Sequence, residues 1–387
     1  MRHRIIIEAH SPLTFPERKP GEQFERSLSY IPGAVLWGAL GAYLQETPRA
    51  RFSSALPIRN GDSWCRVLPS TAMSCKNNGG FRADGYDGVF DTLIDRACCE
   101  VLEPAGITYD PHCPICLKRA DIWSGYYART TDGTLHRRNV NYRILTRVAV
   151  DRRRGTAAEG QLYSPIVISE VNTFTSGDAS VVETTRFLGW AWNLDDTELQ
   201  ALQNITAIGA RTSSGLGRVR IWGEPDNEKS SLLQRLQAFN RRFAERWQLI
   251  ELLKPQRSLD WEPGRWRVFS VGLQSPAILY EAGWQPTFTF SSAQLREATG
   301  LEAVLVRAQA GSQIAGGWNI RWNRPKPTAL AATAGSVYLF RTTASEEAIV
   351  EALARLEEQG IGQRRAEGYG IVRCCDEFHV QAIGEAQ

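Results

Sequence analysis

The sequence predicts an α+β chain built from two tandem βαββαβ units with glycine-rich loops, the first carrying a cysteine-containing insertion. Three observations lead there. An internal repeat lies near the end of each half. Residues 208–220 read IGARTSSGLGRVR and residues 361–373 read IGQRRAEGYGIVR, seven identities in thirteen positions at an offset of 153. The context of the repeat is itself repeated, a strand and then a helix preceding each copy and a short apolar strand following it. Finally, six of the eight cysteines fall within residues 56–129, a stretch too long and too rich in glycine to belong to a minimal unit.

Each element follows from local pattern. Arg4 to Ala9 opens as a strand, and Ile31 to Leu44 as a helix with Pro32 early in it. Arg186 to Leu194 reads as a strand. Asp195 to Ile205 reads as a helix, acidic at its start, with Leu199, Leu202 and Ile205 on one face. The glycine loop then leads into a strand at Val219 to Trp222. Glu228 to Leu253 is expected to be one long, packed connector helix, with Leu232, Leu236, Phe239, Phe243 and Trp247 at helical spacing, and Pro255 and Pro263 punctuate the passage beyond it. In the second half, Trp266 to Leu273 is the opening strand, and Ser291 to Thr299 a helix capped by serine and stopped by Gly300. Ser336 to Phe340 is a strand, Ser345 to Glu358 a helix with Ser345 as N-cap, and Ile371 to Cys374 the closing strand. Strand–helix–strand–strand–helix–strand is the order of a ferredoxin-like (RRM-like) unit. The expected domains are 1–224, containing the insertion at 56–129 and an arginine-rich thumb at 137–165, then a connector at 225–262, then 263–387.

Composition narrows the function classes. The chain has 387 residues, 43% hydrophobic and 22% charged, which suits a folded protein with a core of its own. No run of about 18 apolar residues is present, and the N-terminus lacks the apolar core of a signal peptide, so a cytoplasmic, membrane-free protein is expected. The net charge is only +3, but 39 of the 45 basic residues are arginine, the cation that forks phosphate and stacks on bases.

Three constellations carry chemistry. In the glycine loops, Gly209, Gly215 and Gly217 surround Arg211, and Gly362, Gly368 and Gly370 surround Arg364 and Arg365. Glycine permits positive φ and close backbone approach, and free N–H groups there can bond phosphate oxygens. No Gly-Lys-Ser/Thr follows either loop, so no nucleotide cofactor is expected. The second constellation is RRNVNYRILTRVAVDRRR at 137–154, with seven arginines against Asp151 alone. Arg137, Arg138, Arg147, Arg152, Arg153 and Arg154 are the expected phosphate-gripping residues. Tyr142 and Tyr163 are candidates for base stacking, with single-stranded RNA as the fitting ligand because no recognition helix carries the arginines. The third is Cys113-Pro-Ile-Cys116 with Cys75 upstream, a thiolate set suited to structural zinc. The fourth ligand comes from Cys99, Cys98, His112 or Cys65, with Cys99 assigned. Cys374 and Cys375 sit on a strand and read as core. None of the five histidines makes a metal or catalytic signature with a neighbour, and no catalytic residue is assigned.

On these residues the chain resembles the CRISPR-associated RAMP superfamily. Ser29-Tyr-Ile-Pro-Gly-Ala-Val-Leu-Trp-Gly-Ala-Leu40 resembles the family's opening helix motif, with Trp37 where an arginine often stands. RVAVDRRRGTAAEGQLY at 147–163 resembles the thumb-like hairpin presented to guide RNA, and Gly316-Gly-Trp-Asn, Arg324-Pro-Lys-Pro and Gly335-Ser-Val-Tyr resemble the second domain of the large guide-capping subunits. GIGQRRAEGYG is the most specific match to the superfamily's glycine-rich loop. Two domains plus a cysteine-bearing insertion look most like the capping subunit of type III-D effectors. The resemblance implies a non-catalytic subunit in antiviral defence that binds the five-prime repeat-derived handle of CRISPR RNA. Its implied partners are the large polymerase-like subunit, which it would anchor, backbone RAMP subunits and, indirectly, target RNA. The alternative within the superfamily is a metal-independent endoribonuclease that processes the CRISPR precursor, for which His10 and Tyr30 are the available acid–base pair.

Overall fold

The structure, a computed structural model, describes residues 2–16, 26–100, 109–151, 153–154, 156–176, 179–226, 231–252, 265–319 and 324–380. It is a mixed α+β molecule with two larger antiparallel sheets, many small ones and, among the described residues, six α-helices. No described helix is long and apolar enough to cross a membrane.

The first sheet starts with β1 (Arg2–Ala9), whose alternation buries Ile5, Ile7 and Ala9 on one face. Helix α1 (Gly33–Leu44) follows; Pro32 stands at its N-cap rather than in its first turn, holding the extended backbone that launches it. Next come the edge strands β2 (Arg51–Phe52) and β3 (Leu56–Ile58), then the insertion with its helix α2 (Leu93–Cys99). The unit closes with β4 (Arg186–Trp192), α3 (Asp196–Gln203) and β5 (Val219–Pro225). Asp195 caps α3 by accepting from the Glu198 N–H. The sheet order is β5-β1-β4-β2, with β3 also on β4. Leu56–Ile58, expected at the start of the insertion, is therefore part of the main sheet.

The second sheet is built the same way. After α4 (Leu232–Glu251) come β6 (Arg267–Leu273), α5 (Ser292–Thr299), β7 (Val304–Gln309), β8 (Val337–Thr342), α6 (Glu346–Gln359) and β9 (Val372–Cys374), in sheet order β7-β8-β6-β9. Ser291 and Gln294 form a reciprocal capping box at α5, and Gly300 ends it at φ 77°, as the sequence predicts. Ser345 caps α6 through the Ala348 N–H.

Two elements are more than connectors. Helix α4 buries Leu236, Phe239, Phe243 and Trp247 in the core of the second sheet. Its Asn240 side chain accepts from the Val268 N–H and donates to the Val268 carbonyl, and Arg235 pairs with Glu357 at 2.9 Å. The insertion spans the two units. Leu93, Ile94, Ala97 and Cys98 of α2 join that same core, while Phe378 near the C-terminus sits with Phe81 and Tyr127 in the insertion's own cluster.

Candidate RNA interface and metal centre

The two glycine loops superpose in their hydrogen bonds as well as their letters. Arg211 and Arg364 are both left-handed, at φ 60° and 54°, and each opens a 3-10 turn closed by a left-handed glycine, Gly215 or Gly368. Ile208 and Ile361 each donate to the carbonyl of the last glycine of their loop, Gly217 and Gly370. Those glycines donate to Pro12 and Pro276, and the next residues, Arg218 and Ile371, donate to the hydroxyls of Ser11 and Ser275 at 2.9 Å. A Ser-Pro pair just after the first strand of each unit is thus the loop's receptor. The sequence carries this signal at 11–12 and 275–276, outside the thirteen-residue repeat.

The N–H groups of Ala210, Ser214, Gly215, Leu216 and Gly217 all donate within the protein, so these five are committed to the loop's own fold. The glycines answer to backbone crowding: a Cβ at Gly217 would lie 2.3 Å from the Ile208 carbonyl oxygen, and one at Gly370 would lie 1.8 Å from that of Ile361.

The loops then diverge. The first presents Thr212–Gly215 to solvent, and a Cβ at Gly215 would meet nothing within 4 Å. The second is wedged against the first unit. A Cβ at Gly368 would lie 2.4 Å from the Phe52 carbonyl oxygen and 3.0 Å from Gly33 Cα. Arg51 donates to the Glu358 carbonyl and lies over the Trp192 ring at 4.5 Å. Burial, aided by neighbouring Arg365, brings its pKa down to about 10. Arg364 donates to the Pro327 carbonyl at 2.8 Å, and Arg365 is exposed.

The arginine segment is divided among elements. Arg147–Asp151 pairs with Thr156–Tyr163 as an antiparallel hairpin. Arg147 at its base donates to the Ser214 carbonyl of the first glycine loop at 2.8 Å, joining hairpin and loop. Arg153 and Arg154 are exposed at the turn; Arg152 lies outside the described residues. Arg137 and Arg138 belong instead to the insertion's small sheet, in strand Leu135–Arg138. Arg137 is half-buried over Trp123 at 4.6 Å. Arg138 is 4% exposed and forks Asp62 at 2.6 and 2.7 Å, so its guanidinium is satisfied inside the fold rather than presented with the hairpin arginines. Tyr142 stacks under Arg26 at 4.5 Å. His10 is exposed beside Glu8 at 3.2 Å, and Tyr30 packs edge-on to Tyr126.

The cysteines give a second candidate site. Cys75, Cys113, Cys116 and Asp87 bring their ligand atoms within 4.8 Å of one another and could hold a metal ion. Cys75 and Cys113 are buried, Cys116 is exposed and Asp87 half-buried. The Asn78 amide and the thiols of Cys75 and Cys113 hold the Asp87 carboxyl below its ordinary range. Cys99, the assigned fourth ligand, is not in this cluster. It sits on α2, half-buried against the core of the second sheet, where burial and Asp95 push its thiol up. Burial likewise pushes Cys65 and Cys98 up, and His112 bonds the Asp110 carbonyl instead. Asp87 was missed because a single aspartate in a glycine-rich loop carries no spacing signal.

Residues 244–374 match the model of a family described as CRISPR-associated protein (Cas_Cmr3), about a third of the chain. The match starts inside α4 and ends with β9, so it covers the second sheet and the second glycine loop. No curated protein matches the chain. Among solved structures, it is similar to a chain of the Type III-B Cmr-beta complex bound to cognate target RNA and AMPPnP, at 13% identity and a TM-score of 0.40, covering 87% of this chain and 86% of that one. The same figures hold for the complex bound to cognate target RNA alone. The apo-state complex matches at 12% identity and a TM-score of 0.28, covering 58% of this chain and 98% of that one.

Proposed function

We propose that this chain is a non-catalytic, RNA-binding scaffold subunit of a type III CRISPR effector complex, of the type III-D kind that the sequence resemblance suggests. It would bind the five-prime repeat handle of CRISPR RNA and anchor the large subunit. The observation that carries this reading is the match of residues 244–374 to a CRISPR-associated family, together with the duplicated loop that the match spans in its second copy. The strand orders β5-β1-β4-β2 and β7-β8-β6-β9 support two tandem ferredoxin-like units, since both run fourth, first, third, second in chain order. The RNA-contacting surface is assigned to the hairpin of Arg147, Arg153 and Arg154 and the open first loop it touches, with Arg152, Arg211 and Arg365 adding charge. We further infer that the metal is zinc, because three thiolates form a soft donor set and the cluster lies in a loop-rich insertion that an ion would hold together.

The test is a filter-binding measurement of the full chain with RNA carrying a repeat-derived five-prime end, over a range of salt, alongside co-purification from the native host. Binding whose logarithm falls linearly with log salt, and recovery of guide RNAs sharing one five-prime end with other effector subunits, is the expected result. Recovery of the protein alone, cutting repeat RNA at one site in EDTA, would transfer it to the processing class.

A further inference from the structure

We infer that the fourth metal ligand is Asp87, so that the centre is a Cys3Asp site of Cys75, Cys113, Cys116 and Asp87. This rests on the zinc reading above and goes beyond it by fixing the ligand set. A tetrahedral zinc with Zn–S near 2.3 Å and Zn–O near 2.0–2.2 Å requires ligand atoms about 3.5–3.8 Å apart. Cys75 Sγ lies 3.4 Å from Cys116 Sγ, and Cys113 Sγ lies 3.5 Å from Asp87 Oδ2.

Each ligand is aimed by something outside the cluster. Asp87 Oδ1 accepts from Asn78 Nδ2 at 2.7 Å, which leaves Oδ2 turned toward the sulfurs. A second hydrogen bond of this kind is how metal-binding carboxylates are oriented. Cys75 is fixed at the end of strand Ala72–Cys75, in register with Ala120. Cys113 and Cys116 sit on a tight turn in which Leu117 donates to the Cys113 carbonyl at 2.9 Å and Cys113 to the Lys118 carbonyl at 2.7 Å.

That turn holds Leu117 left-handed at φ 56°, an uncommon conformation for a leucine, with its side chain 76% exposed. Core packing therefore does not demand the conformation. Three thiolates and a carboxylate around a divalent ion leave a charge of about −2. Two of the chain's six lysines, Lys76 and Lys118, flank the ligands. Cys99 stands on a helix committed to another core, so moving it into the cluster would require undocking α2.

The experiment is metal analysis of the full chain purified without chelator, with a cobalt(II)-substituted sample for the ligand count. One zinc per chain is expected. Cys99→Ser should keep it, whereas Asp87→Ala should weaken zinc binding by about 10-fold or more, read by competition with a chromophoric chelator. In the wild-type cobalt spectrum the thiolate charge-transfer band should correspond to three sulfurs, and Asp87→Cys should raise it by about a third. The wild-type spectrum counts the sulfurs even if a variant fails to fold. Absence of any bound metal would sink the zinc reading and this inference together. Metal retained in Asp87→Ala but lost in Cys99→Ser, or a four-sulfur band in the wild type, would sink the Asp87 assignment alone.

Discussion

Arg138 and Arg147 look alike in the sequence and do different things. Arg138 is buried against Asp62, so Arg138→Ala leaves a carboxylate without its cation in the core of the insertion. The expected cost is about 3–5 kcal/mol of stability, measured by urea unfolding, with no change in the salt dependence of RNA binding for the protein that remains folded. Arg147→Ala and Arg154→Ala should leave stability within about 0.5 kcal/mol and each lower the salt slope by about 0.7, one single-strand phosphate contact apiece. His379 gives the pH prediction. Burial works to lower its pKa, but the Asp91 carboxylate at 3.0 Å, with Asp376 and Glu377 near, raises it above the ordinary histidine value. The stabilisation is therefore complete below the unfolded histidine pKa of about 6.5 and is lost as pH rises through the higher folded value. The melting temperature of the wild type, relative to His379→Gln, should fall from about pH 6.5 upward; a difference that grows with pH would contradict it.

At the scale of elements, the two glycine loops share one construction and have different neighbours. Gly215→Ala meets open space and bears only the left-handed backbone penalty, about 1–2 kcal/mol. Gly368→Ala bears the same penalty and also drives a methyl into the Phe52 carbonyl and Gly33. It should cost clearly more than Gly215→Ala in thermal unfolding, and equal costs would mean that the second loop is not wedged at the junction. The Ser-Pro receptors allow a separate check. Ser275→Ala removes the acceptor of a buried loop N–H and should cost about 1–3 kcal/mol, whereas Ser11→Ala exposes its N–H to water and should cost less, about 0.5–1.5 kcal/mol.

Over the whole molecule, the insertion ties the units together. Its Tyr127 donates to Asp376 at 3.1 Å and packs against Phe378, its Asp91 meets His379, and its α2 lies in the core of the second sheet. Ser70 and Gln309 exchange hydrogen bonds between insertion and second sheet at 2.8 and 2.7 Å. Phe378→Ala should cost about 3–5 kcal/mol and loosen the insertion rather than the C-terminus alone, visible as faster hydrogen exchange in residues 72–91. Exchange confined to the last turn of the chain would show the insertion to be independent.

The local elements and the duplication can be read along the chain. Ser345, Ser291 with Gln294, Gly300 and the two glycine-loop copies act through hydrogen bonds and backbone angles a few residues apart, so their chemistry is legible in order along the chain. The Cys113–Cys116 pair is legible too, because C-x-x-C is a short-range geometry, whereas Cys75 meets it only across the small sheet. Tertiary structure alone decided the rest. It placed Arg138 inside on Asp62, 76 residues away, and Asp87 rather than Cys99 beside the thiols. It also bonded loop N–H groups to Pro12 and Thr14, and chose the core of the second sheet as the one on which α4 packs. Each of these turns on which side chain a distant segment covers, and periodicity or composition carries no term for that distance.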